Sequence, residues 1–150
     1  MNISRYKKVL STYATGIAVV TKKDKNNLYS GITVNSFVSI SLKPPYISWS
    51  LDKNTSSFNQ FKNLNFFNIY ILSEKQIGVS NHFSSKNELK KNSIIKNDLL
   101  KNNLTELNCK VIKKINIGDH LLFVAKVIKF NLKKDKKPLI YFLSKYKKLS

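Results

Sequence analysis

Between Cys109 and Leu132 the chain can do little except fold back on itself as two strands. Cys109, Val111, Ile115 and Ile117 are apolar and alternate with Lys110, Lys114 and Asn116, the period of a strand with one buried face. Gly118-Asp119 supplies a turn, and Leu121 to Leu132 returns the chain. The run Leu121-Leu122-Phe123-Val124-Ala125 is apolar at every position, so the first half of the return strand expects cover on both faces, as in a closed sheet.

The remainder supplies further strands. Tyr6, Val9, Leu10 and Tyr13 lie at helical spacing, which predicts one short amphipathic helix over Ser4 to Tyr13, ended near Gly16. Ile17 to Thr21 is a β-branched run, Asp24 to Asn27 a polar turn, and Leu28 to Leu42 a long stretch of strand formers. Lys43-Pro44-Pro45 must be a loop, since proline cannot donate to a central ladder, and Tyr46 to Leu51 resumes the strand pattern. Thr55-Ser56-Ser57 before Phe58, Phe61 and Leu64 reads as an N-capped short helix. Phe66 to Leu72 is another strand. Ser73 and Gln76 have capping-box spacing and open a helix through Val79 toward Phe83. Ser84 to Asn108, rich in Lys and Asn, reads as loop with some helix, and Pro138 to Leu143 as a last short strand. Six or more short strands with a few small helices predict a mainly β, closed or partly closed barrel, filling one domain over residues 1–150.

Composition narrows the chemistry. The single Cys109 excludes an intrachain disulfide and a cysteine metal cluster. The start carries Arg5, Lys7 and Lys8 but is broken by Ser11, Thr12 and Thr15, unlike a signal peptide, and no apolar run approaches a membrane span. A cytoplasmic protein, bound to no membrane, is expected. Four glycines are too few and too scattered for a Gly-rich phosphate loop. His82 and His120 have no Cys or carboxylate at metal spacing. Cys109 and His120 would stand about 25–30 Å apart along one strand, too far for a thiol and its base. Without acid, base or nucleophile sets, such a chain, if an enzyme, leaves the chemistry to a cofactor. The net charge of +19 admits a polyanion partner, but Arg5 is the only arginine among 27 Lys and Arg residues. A surface selected to read bases or clamp phosphates uses arginine's planar fork, so codon bias is the better account and no specific nucleic acid is expected.

Four stretches together resemble the flavin reductase family. Thr33-Val34-Asn35-Ser36-Phe37, followed by Val38-Ser39-Ile40-Ser41-Leu42-Lys43-Pro44-Pro45, is similar to its signature. Ala14 to Thr21 resembles its first strand, Cys109 with Gly118-Asp119-His120 its Cys-containing strand and turn, and Pro138 to Phe142 with Tyr146 its closing strand. Where relatives often carry arginine in the first helix this chain has Lys7, and the stretch between Phe83 and Cys109 is shorter than usual.

The resemblance implies an FMN-binding split β-barrel with Greek-key-like strand order and a few short helices. It implies a homodimer, and an NAD(P)H:flavin oxidoreductase that takes FMN or FAD together with NADH or NADPH. Such a protein can supply reduced flavin to a partner monooxygenase. Thr33, Val34, Asn35, Ser36, Phe37 and Ser39 would line the flavin, Ser50, Leu51, Thr55 and Ser56 would hold its phosphate, and Phe83, Ser84 and Ser85 would form a second wall. Leu10, Ser11, Tyr13 and Ala14, with His120, Ser144 and Tyr146, would meet the nicotinamide nucleotide. No side chain is assigned as catalytic. Two rivals remain at this point: a flavin-binding electron carrier on the same fold, and a basic nucleic-acid-binding barrel.

Overall fold

A computed structural model describes residues 1–23, 29–84, 93–133 and 135–150. The expected turn at residues 24–27 and the site residue Ser85 lie outside these. Helix α1 (Ile3–Ser11) starts at Asn2, whose side chain accepts the Arg5 N–H at 2.9 Å, and buries no residue. Two short strands follow, β1 (Thr15–Gly16) and β2 (Ala18–Lys23). The stretch read as one long strand is two, β3 (Tyr29–Val34) and β4 (Val38–Leu42), because Asn35 to Phe37 leave the ladder. The two-proline segment makes a tight turn into β5 (Pro45–Asp52), with Pro45 at the outer end of the strand, where a missing donor costs least.

Helix α2 (Phe58–Phe61) is a single turn whose N-cap, Ser57, makes no side-chain capping bond; of the expected Thr-Ser-Ser cap only Thr55 acts, its hydroxyl accepting the Ser57 N–H at 3.5 Å. After β6 (Phe66–Ile71) comes α3 (Ile77–Ser84). Its capping box forms by half: Gln76 accepts the Ser73 N–H at 3.1 Å, while the Ser73 hydroxyl is buried without a partner. The amide of fully buried Gln76 also donates to the Asp98 carbonyl at 2.8 Å, tying α3 to α4 (Ser93–Asn102). Thr105 to Asn108, read as loop, belongs to the long strand β7 (Thr105–Ile117), which turns at Gly118-Asp119 into β8 (His120–Leu132). Gly118 has φ +54°, the left-handed conformation that tight hairpin turns require. The chain closes with β9 (Ile140–Phe142) and the unforeseen β10 (Lys145–Lys147).

The antiparallel strands run β3-β2-β6-β7-β8-β5-β4 in a seven-stranded sheet, and β1-β9-β10 form a smaller one. The sheet curls around a core in which Trp49 stacks on Phe123 at 4.5 Å and meets Phe67 edge-on. A second core lies between this sheet, α3, α4 and β9, built on Val19, Tyr70, Leu72, Val79, Leu99 and Leu139. The ladder does not close, since β3 and β4 are both edges. Among the described residues no helix is long and apolar enough to cross a membrane.

A bulge corrects the reading of the hairpin. Val111 faces Ala125, but Lys113 already faces Val124, so Ile112 is the extra residue and parity flips beyond it. Lys114 therefore lies opposite buried Phe123, its ammonium 5.6 Å from the ring centre, while Ile115 and Ile117 turn to the outer face. In the return strand Leu121, Phe123 and Ala125 are buried, whereas Leu122 and Val124 are only half covered.

Candidate functional site

The gap between the two sheet edges is spanned by residues 35–37, whose main-chain groups are not consumed by the ladder. Two side chains fix this crossing. The Ser36 hydroxyl accepts the Ser50 N–H at 2.9 Å and donates to the Ser50 carbonyl at 3.3 Å, joining it to β5. The Thr33 hydroxyl donates to the Ser80 carbonyl at 2.7 Å, joining β3 to α3. Gly31 lets α3 come this close: a Cβ there would stand 2.5 Å from the Phe83 ring. Asn35 and Ser39 are exposed, whereas Val34 and Phe37 lean on the first core. The Leu51 side chain is fully buried in that core, so only its main chain can serve a ligand. Phe83, against Gly31, is 9% exposed, and Ser84 is exposed at the end of α3.

Beyond β5 the loop to α2 carries half-buried Thr55 and exposed Ser56. Its amides are largely spent within the loop. Asn54 N–H donates to the Asp52 carboxylate at 2.8 Å, Thr55 N–H to the Asp52 carbonyl at 3.2 Å, and Phe58 N–H to the Thr55 carbonyl at 3.1 Å. With α2 one turn long, an anion here would depend on the Thr55 and Ser56 hydroxyls more than on a helix terminus. Lys53 donates from its main chain to the Asp119 carbonyl and from its ammonium to the Gly118 carbonyl, both at 2.9 Å. The Asp119 carboxylate lies 2.7 Å from His120 Nδ1, and this contact above all holds its pKa below the usual carboxylate range, with Lys53 adding least.

A third cluster is made by the chain's two ends. The Leu143 N–H donates to the Ser11 carbonyl at 2.9 Å, which brings the end of α1 to the β9–β10 turn. Leu143 and Ser144 form that turn with φ of 50° and 58°. The Tyr146 hydroxyl lies 2.7 Å from Ser80 Oγ and donates to Asn81 Oδ1 at 3.1 Å, and its ring meets Tyr141 edge-on. The backbone thus brings Ser11 to the Leu143-Ser144 turn, whereas the Tyr146 hydroxyl is directed to α3, and Leu10, Tyr13 and Ala14 are exposed. His120 belongs instead with Asp119 and Lys53 at the tip of the β7–β8 hairpin.

Ser80, Asn81 and Lys53 were not singled out by the sequence, because each acts through contacts distant along the chain. Cys109 is 2% exposed and burial pushes its thiol up to about 12, which removes it as a nucleophile at neutral pH. Among the described residues no group of His, Cys, Asp or Glu is placed to hold a metal.

A curled antiparallel sheet left open at one seam, with main-chain groups outside the ladder at residues 35–37, defines a small, incompletely closed β-barrel architecture. Residues 10–150 match the flavin reductase like domain, and the chain belongs to that family. It is 30% identical over 149 residues to the NADH-dependent flavin reductase StyB of Pseudomonas fluorescens, covering 94% of this chain and 86% of that one. It is 26% identical to a flavin reductase of Pseudomonas putida, with 94% and 86% covered. The structure of the styrene monooxygenase flavin reductase from Pseudomonas putida S12 superposes with a TM-score of 0.83 at 26% identity, covering 97% of each chain.

Proposed function

We propose that this chain is an NAD(P)H-dependent flavin reductase, binding FMN or FAD and reducing it with NADH or NADPH. The observation that carries this reading is the crossing at residues 35–37, held open between two sheet edges by the Ser36–Ser50 and Thr33–Ser80 bonds. A planar, hydrogen-bonding ring system fits such a seam: Asn35 to Phe37 offer main-chain donors and acceptors, Ser39 and Ser50 lie on the flanking strands, and Ser84 ends α3 at the rim. Thr55 and Ser56 offer hydroxyls to a phosphate at the far end. The bound flavin supplies the hydride acceptor.

The protein's own contribution is placement. Main-chain donors at the seam would orient one ring against the other, converting an encounter in solution into a step within one complex. No side chain needs to carry a proton, in keeping with the buried Cys109 thiol and the scattered acids. Leu10, Ser11, Tyr13, Ala14 and Ser144 border the place for the nicotinamide nucleotide, with His120 at the hairpin tip as a hydrogen-bond donor or stacking plate.

A homodimer is part of the reading. Tyr6, Val9 and Leu10 on α1, Ile117 on β7, and Ile128, Phe130 and Leu132 on β8 are all exposed, and a second copy covering them would bury apolar surface. The likeness to a styrene monooxygenase reductase supports a flavin-dependent monooxygenase as the recipient of reduced flavin. Flavin fluorescence on titration, with NADH and NADPH oxidation measured with and without added flavin, tests the function. No fluorescence change at tens of micromolar flavin would sink it.

A further inference from the structure

The loop before α2 and the β7–β8 turn are far apart in sequence, yet one residue joins them twice. Lys53 gives its main-chain N–H to the Asp119 carbonyl and its ammonium to the Gly118 carbonyl, each at 2.9 Å. The two strands entering these loops end in register, Asp52 opposite His120. Asp52 in turn closes its own loop by accepting the Asn54 N–H at 2.8 Å. Two consecutive carbonyls of the hairpin turn are therefore anchored on a single lysine, two residues before Thr55. We propose that Lys53 is a positioning residue that holds the Gly118-Asp119-His120 turn against the Thr55–Ser56 loop, so that phosphate bound at the loop and nicotinamide met by His120 are handled as one unit. This rests on the flavin reductase reading.

The chemistry requires a long cation. The main-chain bond fixes the backbone, but only a side chain spanning back to the turn can take the Gly118 carbonyl, and a charged donor makes the stronger bond. An ammonium has three donors and spends one here, so its charge remains available to the neighbouring Asp119 carboxylate and to an anion at the loop. Lys53→Met keeps the stem and the main-chain bond, so the fold survives while the clamp is lost.

The test uses the full chain, Lys53→Met, Lys53→Arg, His120→Ala and the double variant Lys53→Met/His120→Ala. Without flavin or nucleotide, NMR should show the amides of residues 118–120 shifted in Lys53→Met and restored in Lys53→Arg, because the lost bond is to the Gly118 carbonyl. In turnover, the KM for NADH should rise about five- to tenfold in Lys53→Met with kcat little changed, the scale of one charge-assisted contact. The double variant should match His120→Ala alone, because Lys53 acts through the turn. Unmoved amides at residues 118–120, or additive effects on KM, would overturn the proposal. A raised KM in His120→Ala beside a silent Lys53→Met would dismiss Lys53 alone. An unchanged KM in His120→Ala would remove the parent reading of the turn and this proposal with it.

Discussion

Removing a single oxygen from Tyr146 separates two accounts of the C-terminal hairpin. Sequence similarity puts Tyr146 at the nicotinamide, whereas the structure spends its hydroxyl on Ser80 Oγ at 2.7 Å and Asn81 Oδ1 at 3.1 Å. Ser80 has no exposed surface, so Tyr146→Phe strands its hydroxyl where water does not reach. The lost bond and the orphaned group together should cost about 1–3 kcal/mol. For a chain of this size that lowers Tm by roughly 2–4 °C per kcal/mol. The ring contact with Tyr141 survives the substitution, so packing stays out of the comparison. Adding Ser80→Ala to Tyr146→Phe removes the orphan while leaving the Ser80 carbonyl for Thr33, and should make the double variant more stable than the sum of the singles by about 0.5–3 kcal/mol. Urea denaturation of the four proteins gives the cycle. An unchanged stability in Tyr146→Phe, with a raised KM for the nicotinamide cofactor, would refute this reasoning and return the hydroxyl to the ligand.

Gly31→Ala should destabilise by about 1–3 kcal/mol, because its Cβ would stand 2.5 Å from the Phe83 ring; thermal melts check the loss and flavin titration its reach into the site. Thr55→Ala with Ser56→Ala should weaken FMN more than riboflavin, by about tenfold, since only FMN carries a phosphate; equal losses measured by fluorescence would place the phosphate elsewhere. Cys109 should label with a thiol reagent only on unfolding. Its raised pKa means a stability contribution complete below the unfolded value of about 8.5 and lost as pH rises toward about 12, so Cys109→Ala should show a shallower alkaline decline in urea midpoints. Lys110 and Lys126 face each other directly across β7 and β8, between Phe66 and Tyr46. If their charge reflects codon usage, binding of a short DNA should vanish near physiological salt, and sub-micromolar affinity there would favour the nucleic-acid reading.

What could be read from the sequence followed local chemistry. The β7–β8 turn was legible because glycine is the residue that takes a positive φ without strain, and the start of α3 because a Ser and a Gln stand three residues apart. The bulge at Ile112 was not, since an inserted residue leaves no mark in an already apolar strand, and it misplaced Lys114, Ile115 and Ile117. Strand β10 escaped because its turn is Leu143-Ser144, with positive φ at both but no Gly, Asn or Asp to signal it. Helix α4 was obscured by Lys and Asn, although Leu99 buries itself fully in the second core. Of the candidate site, the seam segment was proposed from resemblance to a family. The partners that fix it, Ser80 for Thr33 and Lys53 for the turn, lie dozens of residues away, where no periodicity points.

The unclosed ladder has a consequence for how this protein must be handled. A strand edge is a row of unpaired donors and acceptors, ready to template another strand. On β4 that edge carries Val38, Ser39, Ile40, Ser41 and Leu42, a window without charge or proline in which all three aliphatic side chains are more than half exposed. Such a segment is a nucleus for intermolecular sheet growth. It is confined by its surroundings: the irregularity between Ser39 and Ser41 breaks the flat register, and Lys43-Pro44 stops extension at one end. An open ladder therefore leaves β4 with an unpaired edge, and β4 is where precipitation at high concentration should begin.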